Sequence, residues 1–183
     1  MRAITRTWHY LKAFRRARKN RSDLMGWLIR RPALLLSTMF YESALLLSNR
    51  LDPNLKELAE LKAAALVNCQ FCLDIGSTLA HYSGLTEAQV AELPKYQTSD
   101  AYSELEKLVL AFAEAMTVTP SSLDLEDVRA QLLTRLSKAQ VAELAAAVAW
   151  ENQRARINQA LGVRPTGMAE GMACALPEPG KAV

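Results

Sequence analysis

"LKAAALVNCQFCLDIGSTLAHYSG", residues 61–84, reads as two helices meeting at a polar hinge. Before the hinge, Leu55, Leu58, Leu61 and Leu66 keep a helical spacing that runs from Asp52-Pro53 to Asn68. Asn68 is a good N-cap for a second helix, expected to start at Cys69 and to stop at Gly84, a residue suited to the left-handed C′ position. Cys69 and Cys72 then share one face of the first turn, because positions i and i+3 of a helix are neighbours.

Outward from this hairpin the chain stays helical. Of seven glycines, four follow residue 161, and no run of β-branched residues alternates with polar ones. Pro32 suits the start of a helix over 33–48. Capping-box patterns open helices at "TEAQ" (86–89) and "SKAQ" (137–140), with further helices over 99–116, 124–136 and 137–161. The fold class is all-α. Residues 1–31 form a basic N-terminal helical arm, 32–161 a helical domain, and 162–183 a Gly/Pro-rich tail expected to wrap over a surface.

Half of the 183 residues are apolar and 22% are charged, which suits one globular domain with a substantial core. Three cysteines do not make a disulfide framework, so the expected setting is the reducing cytoplasm. The apolar run from Ala33 to Leu47 is short for a bilayer span and carries Glu42. The net charge of +3 is uneven: residues 1–31 hold ten Lys or Arg against one acid. Ile4, Trp8, Leu11 and Phe14 form an apolar stripe within that arm, which is expected to pack or to swap between subunits. Membrane-surface contact by residues 1–21 is the lesser reading, and no nucleic-acid module accompanies the charge.

The cysteine pair admits three readings. The positive end of a helix dipole stabilises a thiolate, so one sulfur can attack and the other can close a disulfide on the intermediate. A metal site needs four ligands, and His9, His81 and Cys174 follow no zinc-finger spacing, so no metal is expected. Two buried apolar cysteines remain open, although that reading does not explain their place behind a capping Asn. A thioredoxin-type host needs strands, which are lacking here.

The segment from Glu57 to Leu93, with a glutamate twelve residues ahead of CxxC and a later Gly-Leu-Thr, resembles the core motif of the carboxymuconolactone decarboxylase / alkylhydroperoxidase D-like proteins. "LEKLVLAFAEAMTVTP" and "WENQRARINQALGV" look like later helices of members with an N-terminal extension, so the likeness covers roughly residues 30–165. The resemblance implies an alkylhydroperoxidase D-like helical bundle assembled as a trimer or hexamer. It also implies a thiol-dependent peroxidase or disulfide reductase that needs no cofactor and is recharged by an external dithiol or protein reductant. It makes Cys72 the peroxide-attacking cysteine, Cys69 the resolving cysteine and Glu57 the start of the proton relay. The rivals are a decarboxylase- or isomerase-like enzyme with structural cysteines, and a binding protein using the basic arm. Deleting residues 1–21 is expected to spare a peroxidase and to disable a binding protein.

One position departs from the family pattern: Gly76 stands where a histidine follows the second cysteine by four. The expectation is either that water, helped by Ser77, carries the proton there, or that another helix packs against the glycine. His81 is expected to face the opposite side of its helix, and Asp74 to point away from Cys72. Glu60 shadows Glu57 one turn along. Asn152 and Arg156 share a face, and Cys174 is read as a spare thiol.

Overall fold

The computed structural model describes residues 2–178, with the side chains of Arg2 and Ala3 left aside. Among the described residues the regular structure is all helical: α1 (Arg2–Arg16), α2 (Asp23–Leu28), α3 (Pro32–Leu47), α4 (Pro53–Val67), α5 (Gln70–Ser83), α6 (Glu87–Ala91), α7 (Glu104–Thr117), α8 (Leu125–Leu133) and α9 (Lys138–Ala160), with a 3₁₀ turn at Leu93–Lys95. Among them no helix is long and apolar enough to cross a membrane.

α4 is the axle of the fold. Asp52 caps it by accepting from the Asn54 N–H at 2.9 Å, with Pro53 at its first turn. Every residue from Leu55 to Val67 is buried, because α5, α7 and α9 surround the helix. Such a helix is expected to be apolar all round. This one buries Lys56, Glu57, Glu60 and Lys62, and each charge needs an answering partner. Lys56 pairs with Glu143 of α9. Lys62 meets both oxygens of Glu178 at 2.6 and 2.7 Å, Glu114 at 3.5 Å and the face of the Tyr96 ring.

The hinge differs from its expected form. Asn68 is the C-cap that ends α4, in the left-handed conformation at φ 60°, and Cys69 caps α5 by accepting from the Cys72 N–H. Asn tolerates that conformation better than most residues, and it turns the chain sharply enough for α5 to fold back along α4. Capping boxes open α6 at Thr86 and α9 at Ser137. α7 opens at a third, Ser103 with Glu106, four residues later than expected.

The arm packs on the domain through a face other than its apolar stripe. Ile4, Trp8, Leu11 and Phe14 are exposed, while Arg6, Ala13 and Ala17 are buried. α1 lies on α5 and α3, and joins a small core with Leu79 and Met168. Residues 165–170 bond both this arm and α5, and the tail then continues over α5 to Glu178 against α4. Arg16 donates to the carbonyls of Met168 and Glu170, and Asn20 to that of Pro165.

Candidate functional site

Cys69 and Cys72 form a disulfide, with Cα atoms 5.2 Å apart. Both are buried, yet they are placed differently: Cys72 lies in the wall of a cavity of about 430 Å³, and Cys69 sits behind it. The i, i+3, i+4 rule puts Phe71, Cys72, Ile75, Gly76 and Leu79 of α5 on that wall. α4 contributes Glu57, Glu60 and Leu61, and α9 contributes Trp150, Glu151, Arg154 and Asn158. The remaining wall, from α1, α2 and α3, is largely apolar, with Leu28, Leu35, Met39 and Leu46 among its members.

One polar side chain touches the sulfur. The buried Asn158 amide donates to Cys72 Sγ at 3.5 Å, an interaction that favours a thiolate over a thiol. Asn158 lies 86 residues from Cys72 in a long polar helix, so no local spacing singles it out.

The carboxylates form two groups. Glu57 Oε1 accepts from Arg6 Nη2 at 3.0 Å and Nε at 3.3 Å, an ion pair closed to solvent on both sides. Burial works against the arginine's charge, but Glu57 and Glu60 outweigh it and hold its pKa above the ordinary value. Arg6 also donates to the Leu45 carbonyl at 3.3 Å, which ties α1 to α3. The basic arm is therefore part of the site. Deleting residues 1–21 would strip Glu57 of its partner, so that truncation does not separate an enzyme from a binding protein.

In the second group a single arginine serves three acids. Arg154 bonds Glu42 at 3.0 and 3.2 Å, Glu60 at 3.4 Å and, at closest range, Glu151. Burial pushes Glu151 up to about 8 against the pull of Arg154. Burial also pushes Glu60 up to about 7, with Arg154 opposing and the Glu57 charge adding to the shift. The buried Glu151 Oε1 and Trp150 Nε1 have no protein hydrogen-bond partner. Tyr41 of α3 stacks on Trp150 at 4.4 Å, a second tie between α3 and α9.

The other sequence candidates sit elsewhere. A Cβ at Gly76 would stand 3.0 Å from Leu61 Cδ1, so close packing of α4 accounts for the glycine. Ser77 faces the tail: its Oγ accepts from the Ala175 N–H at 2.9 Å and lies 3.6 Å from Cys174 Sγ, so it does not help a proton towards Cys72. Asp74 points away from the cavity and binds residues 166–169. His81 is exposed. Asn152 bonds Thr117 and Arg156, and neither Asn152 nor Arg156 lines the cavity.

The sequence pattern of the carboxymuconolactone decarboxylase family matches residues 32–115. The uncharacterized protein YnjA of Escherichia coli K12 is 31% identical over 129 residues, which cover 70% of this chain and 67% of that protein. The uncharacterized Mycobacterium tuberculosis protein MT2376 is 32% identical over 94 residues, 51% of this chain but 33% of its own length. Among solved structures, the debrominase Bmp8 superposes with TM-score 0.70 at 22% identity, covering 87% of each chain. A protein of unknown function from Agrobacterium tumefaciens, named as a candidate AhpD antioxidant defence protein, gives TM-score 0.71 at 21% identity, covering 76% of this chain and 94% of that one. At these identities the structural likeness is one of fold.

Proposed function

The chain belongs to the carboxymuconolactone decarboxylase family, and we propose that it is a thiol-dependent peroxidase that reduces organic hydroperoxides through Cys72 and Cys69. The observation that carries this reading is a cysteine pair close enough to bond, with one sulfur on a cavity wall that also holds carboxyl groups. The Cys72 thiolate attacks the outer peroxide oxygen and the O–O bond breaks. The alcohol leaves with one proton, and Cys72 becomes a sulfenic acid, oxidised by two electrons. The Cys69 thiol condenses with it, releasing water and forming the disulfide. An external dithiol or protein reductant takes up the oxidation and restores both thiols. That step suits a reducing compartment, the cytoplasm. The family resemblance gives the thiol proton to Glu57.

The test is peroxide consumption by the protein with dithiothreitol and cumene hydroperoxide. Turnover that falls at least about 10³-fold in Cys72→Ser supports the reading. Equal turnover in wild type and variant returns the cysteines to a structural role.

A second reading draws on the apolar cavity, which is roomier than a peroxide group needs. The debrominase Bmp8 has also been solved as a cysteine-to-alanine variant in complex with 2,3,4-tribromopyrrole, at 24% identity to this chain. Bromide release from a brominated pyrrole, in place of peroxide consumption, would favour thiol-driven dehalogenation.

The family resemblance implies a trimer or hexamer, and the exposed Leu36, Met39, Phe40 and Leu47 of α3 are an apolar face suited to burial between subunits. A monomer at micromolar concentration in sedimentation velocity contradicts that.

A further inference from the structure

We propose that Glu60, rather than Glu57, is the carboxyl group that takes the Cys72 proton and returns it to the departing oxygen. The return of the proton to a departing oxygen rests on the peroxidase reading; the transfer from the Cys72 thiol to Glu60 does not.

Three observations converge. First, the hairpin sets the reach. Cys72 lies four residues beyond Asn68, Glu60 eight before it and Glu57 eleven before it. For a helix folded back on its neighbour, the axial offset from Cys72 is ~6 Å to Glu60 and ~10 Å to Glu57 at 1.5 Å per residue. The contact of Gly76 with Leu61, eight residues after the hinge against seven before it, fixes the same register. A side chain at position 76 could span the longer gap, but glycine has none.

Second, Glu57 is committed. Two N–H groups of Arg6 converge on one of its oxygens, so that oxygen is already engaged in a buried ion pair. Glu60 has a looser tie, a 3.4 Å contact with an arginine that also serves Glu42 and Glu151. Third, Glu60 lines the same cavity as Cys72, so its carboxyl group and the sulfur open into one space.

The field at Glu60 comes from every side of the cavity. Arg6 and Tyr10 face it from α1, Glu42 from α3, Glu57 from its own helix, and Glu151 and Arg154 from α9. Their sum, with burial the leading cause, leaves the Glu60 carboxyl near 7, where one group can act as base and then as acid. In the first half-step the S–H bond breaks and the proton passes to the Glu60 carboxylate, leaving the Cys72 thiolate. In the second, sulfur bonds to the outer peroxide oxygen, the O–O bond breaks, and the Glu60 proton goes to the alkoxide. The carboxylate is regenerated, and the electron balance is that of sulfenic acid formation.

The experiment follows alkylation of Cys72 by iodoacetamide in the reduced protein between about pH 5 and 9, read by peptide mass spectrometry. It needs no peroxide. Wild type should inflect near neutrality. Glu60→Gln should lose that inflection and slow about tenfold at neutral pH, and Glu60→Asp should keep a displaced inflection. Glu57→Gln should keep the inflection, and Glu57→Asp, which preserves the pairing with Arg6, covers the case in which Glu57→Gln does not fold. An unchanged profile in Glu60→Gln, or loss of the inflection only in the Glu57 variants, overturns the proposal. Absence of peroxide turnover with the alkylation pattern intact removes the peroxidase reading and leaves the Glu60 assignment standing.

Discussion

Asp74 and Glu60 are both buried carboxyl groups on the CxxC hairpin, and they are partnered in opposite ways. Asp74 faces the tail, where it accepts from the N–H groups of Thr166, Gly167 and Ala169 at 2.8–2.9 Å and from the Thr166 hydroxyl at 3.1 Å. Glu60 faces the cavity, where it shares one arginine with two other acids. A carboxylate that accepts from three fixed N–H groups ties the tail to α5. One that competes for a cation in a closed apolar space is poised to change its protonation state. The tail side of α5 is thus closed by fixed hydrogen bonds, and the cavity side is the one on which the proposed chemistry rests.

The sharpest way to break this contrast is at Asp74. Asp74→Ala strands three buried N–H groups and should cost about 4 kcal/mol in a denaturant titration, with turnover per folded molecule nearly unchanged. A loss of turnover without a loss of stability would reverse the assignment of the two sides.

Arg6→Ala comes next. It leaves Glu57 buried without its cation and should cost about 3 kcal/mol at pH 8. The cost should shrink at pH 5, because an abandoned carboxylate takes up a proton more readily. A cost independent of pH would mean that Arg6 matters only for packing.

Arg154→Gln should cost less, about 1–2 kcal/mol, since Glu60 and Glu151 can neutralise themselves by protonation. Its signature is an upward displacement of the alkylation inflection. A downward displacement would contradict the cluster as described.

The smallest effect belongs to Glu151. Its folded pKa of about 8 lies above the ordinary 4.5, so the native state holds more protons than the unfolded chain between those values. That contribution to stability therefore falls as pH rises through the window. Glu151→Gln removes it, and the melting temperature of the variant relative to wild type should climb from about pH 5 to 8. A flat difference would show that Glu151 titrates normally.

How far the sequence foretold this molecule depends on the range of each contact. The helices, the capping boxes at Thr86 and Ser137, and the hairpin with both cysteines on one face were legible, because their signals lie within four residues. The role of Asn68 was misread, since Asn serves equally as an N-cap and in the left-handed position that ends a helix. The burial of Arg6 was not legible, because nothing local marks it among the basic residues of the arm and its partner Glu57 lies 51 residues away. Arg154 and Asn158 gave no warning, because they meet Glu42, Glu60 and Cys72 across 86 to 112 residues. Gly76 posed the right question, and the answer lay in Leu61 on another helix, which no local pattern shows.

The most direct measurement of the central claim is a thiol count on the reduced protein before and after one equivalent of cumene hydroperoxide. The account predicts that two thiols per chain disappear, that the lost pair maps to Cys69 and Cys72 while Cys174 stays free, and that a dithiol restores both. Three thiols still titrating after peroxide, or a lost thiol that maps to Cys174, would contradict it.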